Sequence, residues 1–240
     1  PAVYYFRKGV GSGANKWYIH HQGGGWCESL DDCLGRSKGG LGSSKGYSAN
    51  MSLGGGYFDP SPKVNPMMYN WNMVHMNYCD GGSFSGNNES VTMHKGASLY
   101  FRGKRVREAV FDSLMKEHGL GDATDVVVSG CSAGGLATFL HTDQWCDALK
   151  SAQPSVKCVG MPDSGFFLDY QSSAVPATVE EEEPWEERGL SRRLNTLPGN
   201  YHAGLKWCFE AFNATAGVNQ DCIAAKGARR CACVGIRFAF

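Results

Sequence analysis

Ser132 is the residue whose surroundings point most directly to covalent chemistry. It stands in Gly130-Cys131-Ser132-Ala133-Gly134, a G-x-S-x-G pattern. In that pattern a serine occupies a strained turn between a strand and a helix, with its hydroxyl raised above a sheet. Small residues two places to either side permit the close backbone crossing that the turn needs. The flanks fit, because Val126, Val127 and Val128 lead in and an apolar helical pattern leads out. A serine held this way is a nucleophile for acyl transfer. Glycine and serine are common, so the same five letters also describe ordinary turns, and the strand-elbow-helix context carries the reading.

Acyl transfer places negative charge on a carbonyl oxygen, and that charge needs preorganised donors. The amide of Ala133, at the start of the following helix, is one. The loop Gly23-Gly24-Gly25-Trp26 follows the first strand candidate and is the expected source of the second. Trp26 itself either stacks on a sugar ring or buries itself in the core. A base is harder to find. Beyond Ser132 stand only His141 and His202. His141 lies nine residues into the next helix and reads as structural, facing away from the elbow or packed beneath it. Between the elbow and His202 lie Asp143, Asp147, Asp163 and Asp169, of which Asp163 is the most loop-like. An Asp163–His202 pair is a formal option. The expectation, however, is that the chain stops before its acid and base, which leaves both unassigned.

The elements that must position these residues follow from periodicity. Strands are expected at Lys16 to His21, Asn72 to Tyr78, Asp125 to Val128 and Val156 to Met161. In the second of these, Val74, Met76 and Tyr78 alternate with polar neighbours. Helices are expected at Leu99 to His118, Leu136 to Leu149 and Tyr201 to Phe212. Asp31 to Pro62 reads as mostly loop. With Gly81 to Asn88, the stretch from Asp31 to Lys45 offers polar walls for an open groove. The order strand, helix, strand, helix, strand predicts an α/β domain with a mostly parallel sheet and flanking helices. All 240 residues are read as one such domain, with a loop-rich, acidic insertion at 171–200 and an atypical tail at 227–240. The insertion reads as a solvated surface segment, a substrate-covering lid being the alternative.

Composition narrows the partners. Lysine plus arginine and aspartate plus glutamate each number 23, so no net charge favours a polyanion, and no nucleic-acid partner is expected. No run of eighteen apolar residues suggests a membrane span. The ten cysteines suit disulfides in an oxidising compartment, and their spacing with histidine does not complete a zinc site, so neither metal nor other cofactor is expected. Sequons at Asn50, Asn88 and Asn213 also lean toward the secretory route. The chain begins with proline and shows no basic-then-apolar leader, which a removed leader or a fragment explains equally.

Several longer motifs together resemble the plant pectin acetylesterase family, which is related to the animal carboxylesterase Notum. They are Gly11-Ser12-Gly13-Ala14-Asn15, Gly23-Gly24-Gly25-Trp26-Cys27, Asn65-Pro66 with Tyr69-Asn70-Trp71-Asn72, and Tyr78-Cys79-Asp80-Gly81 with Ser83-Phe84-Ser85-Gly86. Phe101-Arg102-Gly103, the elbow itself and Asp163-Ser164-Gly165-Phe166-Phe167-Leu168-Asp169 continue the series. The resemblance covers roughly residues 10 to 225. It implies an α/β-hydrolase-like fold that is incomplete at its C-terminal end, secretion to the exterior or cell wall, disulfides, and metal-free removal of acetyl groups from pectin or a related polysaccharide. By position it implies Ser132 as nucleophile, the amides of Gly25, Trp26 and Ala133 as the oxyanion hole, and Asp163 as an acid beside the pocket outside the triad. It also implies that His141 is not the base and that Asp221 precedes the triad acid. The alternatives are a Notum-type deacylase of lipidated protein, a peptidase using the same elbow, and an inactive remnant lacking the acid and base.

Overall fold

A computed structural model describes residues 2–167 and 201–227. The insertion read at 171–200, Asp169, and the tail beyond Gly227 lie outside the described residues. Five strands form one sheet: β1 (Tyr4–Arg7), β2 (Lys16–His21), β3 (Asn72–Met76), β6 (Asp125–Cys131) and β7 (Lys157–Asp163). Their spatial order is β1-β3-β2-β6-β7. β1 runs antiparallel to β3, whereas β3, β2, β6 and β7 are mutually parallel. A separate hairpin joins β4 (Thr92–His94) to β5 (Ala97–Leu99).

Two long helices, α2 (Gly103–Glu117) and α3 (Ala133–Ala152), pack on one face of the sheet. Trp17, Ile19, Val74, Met76, Val126 and Val128 point toward them and meet Val110, Leu114, Trp145 and Leu149. Burying each such side chain contributes about 1.5–3 kcal/mol of transfer free energy. The other face carries Tyr18, Met73, Val127 and Met161 beneath Met68, Phe58 and Trp71. Both faces of β3 are therefore covered, and all five of its residues are buried. The polar neighbours with which Val74 and Met76 alternate are buried as well. His75 stacks on His20 and meets the edge of Phe58.

Boundaries moved where packing outweighs periodicity. The first long helix begins at Gly103, not Leu99. Leu99 ends the hairpin, and the Phe101 carbonyl accepts a hydrogen bond from the Asn88 amide, so this stretch is taken up before the helix starts. The helix after the elbow begins at Ala133, three residues before the first strong apolar position. The segment read as loop holds α1 (Leu30–Arg36), where Ser29 caps the Asp32 amide, Asp31 and Asp32 favour the positive helix start, and Cys33 is bridged to Cys27. A second disulfide, Cys146–Cys158, ties α3 to β7. Further along lie α4 (Tyr201–Ala211) and α5 (Gln220–Lys226).

Candidate active site

β6 delivers Ser132 to the sharp bend from which α3 departs. Its backbone lies at φ 57°, ψ −120°, a region that costs a non-glycine residue on the order of 1–3 kcal/mol. Packing imposes that conformation. A Cβ on Gly134 would lie 2.0 Å from the His21 carbonyl oxygen, and one on Gly130 would lie 2.3 Å from that of Gly134. Strand β2, the bend and the first turn of α3 thus touch through bare backbone. The Ser132 amide donates to the Asp163 carbonyl at 3.0 Å, which fastens the bend to the end of β7. Its half-buried side-chain hydroxyl has no hydrogen-bond partner among the described residues.

The loop after β2 passes beside Ser132. A Cβ on Gly23 would fall 2.1 Å from the Cys131 carbonyl oxygen and 3.3 Å from the Ser132 Cβ. Gly24 and Gly25 follow at φ 133° and 68°. Their carbonyls turn toward Arg36, whose guanidinium donates to Gly24 O at 2.8 Å and to Gly25 O at 3.4 Å while lying over the Tyr78 ring. With those carbonyls held away, the Gly25 amide makes no hydrogen bond among the described residues. As the first residue of α3, Ala133 likewise has no intrahelical acceptor for its N–H.

Trp26 is pinned. Its indole N–H donates to Ser83 Oγ at 2.7 Å, and Ser83 Oγ donates to the Ala133 carbonyl at 2.8 Å. Ser83, 2% exposed and at φ 51°, therefore joins the glycine loop to the start of α3. Asp80 shapes the turn that holds it, accepting from the amides of Gly82, Phe84 and Gly86. Burial pushes the Asp80 carboxyl up, and these three bonds and Arg107 pull the other way. The sequence placed Arg36 and Ser83 only in polar stretches that could wall a groove, and gave Asp80 no role. An aspartate ahead of Gly81-Gly82 was a local signal for an amide-lined turn; the reach of Arg36 across to Gly24 had none.

The histidines near the elbow are structural. His21 Nδ1 donates to the Ser129 carbonyl at 2.9 Å, and His141 Nε2 donates to the Ser83 carbonyl at 2.9 Å. Both are fully buried. Desolvation, then the nearby Arg107 charge, lowers His21 to about 3 and holds His141 well below its ordinary value. Both are neutral at physiological pH. Asp163 closes β7 opposite Cys131, and its carboxylate accepts from Ser164 Oγ at 2.9 Å. It serves the bend through its backbone carbonyl. His202 lies on α4, and its side chain is outside the described residues, so the Asp163–His202 option stays open. Asp221 lies in the first turn of α5.

A family model described as Pectinacetylesterase matches residues 1–222. The chain belongs to the pectinacetylesterase family. Among its relatives, pectin acetylesterase 11 of Arabidopsis thaliana is 44% identical over 170 residues, covering 69% of this chain and 41% of the relative. Pectin acetylesterase 5 of the same plant is 41% identical over 166 residues, covering 69% and 38%. The palmitoleoyl-protein carboxylesterase NOTUM of Mus musculus is 32% identical over 172 residues, covering 70% and 33%. The chain thus spans about two-fifths of the length of the Arabidopsis relatives. In fold it matches the solved structure of the Wnt deacylase Notum from Drosophila, with a TM-score of 0.76 at 24% identity over 96% of this chain and 61% of that one. The α/β-hydrolase-like architecture read from the sequence is the one observed.

Other readings made from the sequence also find places in this pectinacetylesterase chain. Asn50 and Asn213 are exposed. The Asn88 amide instead donates to the Ala211 carbonyl at 2.8 Å, a bond that a glycan on that nitrogen would disturb. Cys222 is disulfide-bonded, whereas Cys79, Cys131 and Cys208 are free thiols. Among the described residues no group of three or more histidine, cysteine or acidic side chains has the geometry to hold a metal, and no helix is long and apolar enough to cross a membrane.

Proposed function

We propose that this chain carries the nucleophile and the oxyanion-binding loop of a serine carboxylesterase that removes acetyl groups from pectin or a related polysaccharide. The observation that carries the reading is the placement of Ser132: a strained residue between β6 and α3, its hydroxyl unengaged among the described residues, with Gly23 against its Cβ. The chemistry has two steps. Ser132 Oγ attacks the ester carbonyl and the sugar alcohol leaves; water then attacks the acyl-serine and releases acetate. The amides of Gly25, Trp26 and Ala133 receive the negative charge that develops on the carbonyl oxygen. Losing one such donor commonly costs about 3 kcal/mol in the transition state. The proton leaving Ser132 requires a base, and neither His21 nor His141 serves, since each is buried and bonded to a backbone carbonyl.

The names of the Arabidopsis relatives support acetyl esters of pectin as substrates, and the Notum relatives support a longer acyl group as the second reading. We read the chain as a single domain with a surface insertion at 171–200 and as a secreted protein of the exterior or cell wall. The Cys27–Cys33 and Cys146–Cys158 bridges support secretion.

A serine-directed fluorophosphonate tests the proposal. Folded chain is expected to be labelled at Ser132, with labelling abolished by Ser132→Ala and acetyl esters competing better than long-chain acyl esters. Better competition by long-chain esters assigns the second reading. Folded chain that takes no label overturns both and leaves the remnant.

A further inference from the structure

A peptide unit is planar and trans, so its C=O and its N–H point in opposite directions. No cis bond occurs among the described residues. The Gly24 carbonyl and the Gly25 N–H belong to one such unit, and the Gly25 carbonyl and the Trp26 N–H belong to the next. Arg36 donates to both carbonyls, at 2.8 and 3.4 Å. One guanidinium thereby turns two consecutive N–H groups away from itself. Gly24 and Gly25, at φ 133° and 68°, supply the backbone freedom for successive carbonyls to face the same cation.

The guanidinium is itself held. Arg36 ends α1, whose start is capped by Ser29 and whose Cys33 is bridged to Cys27, the residue after Trp26. Its Cζ lies 4.8 Å from the centre of the buried Tyr78 ring. The Tyr78 hydroxyl accepts from the Ser83 amide at 2.8 Å, so Arg36 rests on the ring that also fixes Ser83. At the other end of α1, Asp31 pairs with His94 and Lys95 of the β4–β5 hairpin and its turn. Among the described residues Arg36 makes no ion pair, and its buried Nε has no partner. A carboxylate anchor would have cancelled its charge, whereas carbonyl anchors leave that charge behind the glycine loop. A carbonyl that accepts from a cation is polarised, and the N–H of the same peptide unit becomes a stronger donor.

We propose that Arg36 is a positioning residue for acyl transfer at Ser132. It acts through the backbone of residues 24 to 26: its fork sets the direction of the Gly25 and Trp26 donors, and its charge strengthens them. It touches neither the ester nor the serine. The two carbonyls it holds belong to the same peptide units as two of the three donors named for the oxyanion, so one side chain governs most of that set. The inference rests on the reading of Ser132 as an esterase nucleophile and adds to it the residue that arms the loop.

The test is the kinetics of fluorophosphonate labelling of Ser132 in the whole chain, resolved into the reversible affinity of the probe and the maximal labelling rate. Outright loss of an oxyanion donor slows a reaction roughly 10²–10³-fold, so misdirected donors in Arg36→Ala should lower the maximal rate at least roughly thirtyfold, with affinity nearly unmoved. Arg36→Lys keeps the charge but loses the fork, and its rate should fall between the two. Guanidinium ion at millimolar concentration should restore part of the Arg36→Ala rate, and ammonium should restore less; Arg36 lines a hollow of about 560 Å³ through which the ion can enter. Lys38→Gln removes an exposed charge two residues away and should label like wild type. An Arg36→Ala variant that labels at the wild-type maximal rate, or loses rate and affinity alike, overturns the inference. Equal slowing by Lys38→Gln, or equal rescue by ammonium, also overturns it. If Arg36→Ala fails to fold, Arg36→Lys decides: a wild-type maximal rate overturns the inference, and a lowered rate with unmoved affinity supports it. Folded wild type that takes no label removes the esterase reading and this inference with it, whereas labelled wild type beside an unslowed Arg36→Ala removes the inference alone.

Discussion

Ser83→Ala removes one oxygen and two hydrogen bonds, the indole donor of Trp26 at 2.7 Å and the bond to the Ala133 carbonyl at 2.8 Å. A buried partner left unsatisfied costs about 1–3 kcal/mol. Trp26 is half-buried, so water can reach part of its ring, and the Ala133 carbonyl keeps its place in the helix. Both losses therefore belong near the low end, about 2 kcal/mol together, or roughly a 30-fold fall in the folded-to-unfolded ratio. The positive φ adds nothing to this difference, because serine and alanine both carry a Cβ. Ser83→Gly loses the same bonds but relieves that conformation, and it should recover about 1 kcal/mol relative to alanine. Urea unfolding of the two variants measures both numbers. In the active protein the same change should lower kcat and leave KM nearly unmoved, since it loosens donors that act on the transition state. A Ser83→Ala variant within 0.5 kcal/mol of wild type, or one less stable than expected but with unchanged kcat, would refute the clamp as described.

Gly134→Ala should destabilise by about 3 kcal/mol, although alanine gains about 1 kcal/mol in an ordinary helix interior, because its Cβ would meet the His21 carbonyl at 2.0 Å; urea midpoints decide the sign. Burial lowers His75 from 6.5 to about 4, and burial together with the His75 charge lowers His20 to about 4, with Asp163 acting the other way. The unfolded chain therefore binds protons that the folded chain refuses. This contribution is complete above pH 6.5 and is lost as pH falls through about 4. His75→Leu should flatten the slope of stability against pH in that window by up to about 1.4 kcal/mol per pH unit, and an unchanged slope would count against it. Cys146→Ser opens a bridge spanning twelve residues and should cost about 3 kcal/mol, read as a fall in unfolding midpoint that reductant does not deepen to the extent it does in wild type.

The parts legible in the sequence were those whose local pattern and tertiary role agree. Val126 to Val128 and Lys16 to His21 read as strands because buried parallel strands need continuous branched or aromatic side chains. The elbow was legible because few residues other than glycine tolerate such close crossings. β3 shows polar residues at His75 and Asn72 that are nonetheless buried: His75 packs against the rings of His20 and Phe58, and the Asn72 side chain bonds the Gly9 amide and the Ala14 and Lys16 carbonyls. The Ser29 cap with Asp32 three residues on was a readable helix start that loop-like composition concealed. The hairpin at 92–99 turns on Lys95 and Gly96, both at positive φ, and a lysine there carries little turn signal. Within the site, Ser132 and residues 23–26 were visible as motifs. Arg36 and Ser83 act across gaps of 12 and 50 residues, and no periodicity reports such reach.

The bond from the Ser132 amide to the Asp163 carbonyl bears on how this site can be switched. Because the serine's own N–H is committed to β7, it is not among the donors proposed for a substrate oxygen. The proposed donors come from two pieces of chain, the loop of residues 23–26 and the first turn after the bend, which Ser83 links. On the esterase reading proposed above, a site assembled from two separable halves would be disarmed without altering its nucleophile: a small displacement of the loop would dismantle the anion cradle and leave the serine intact but idle.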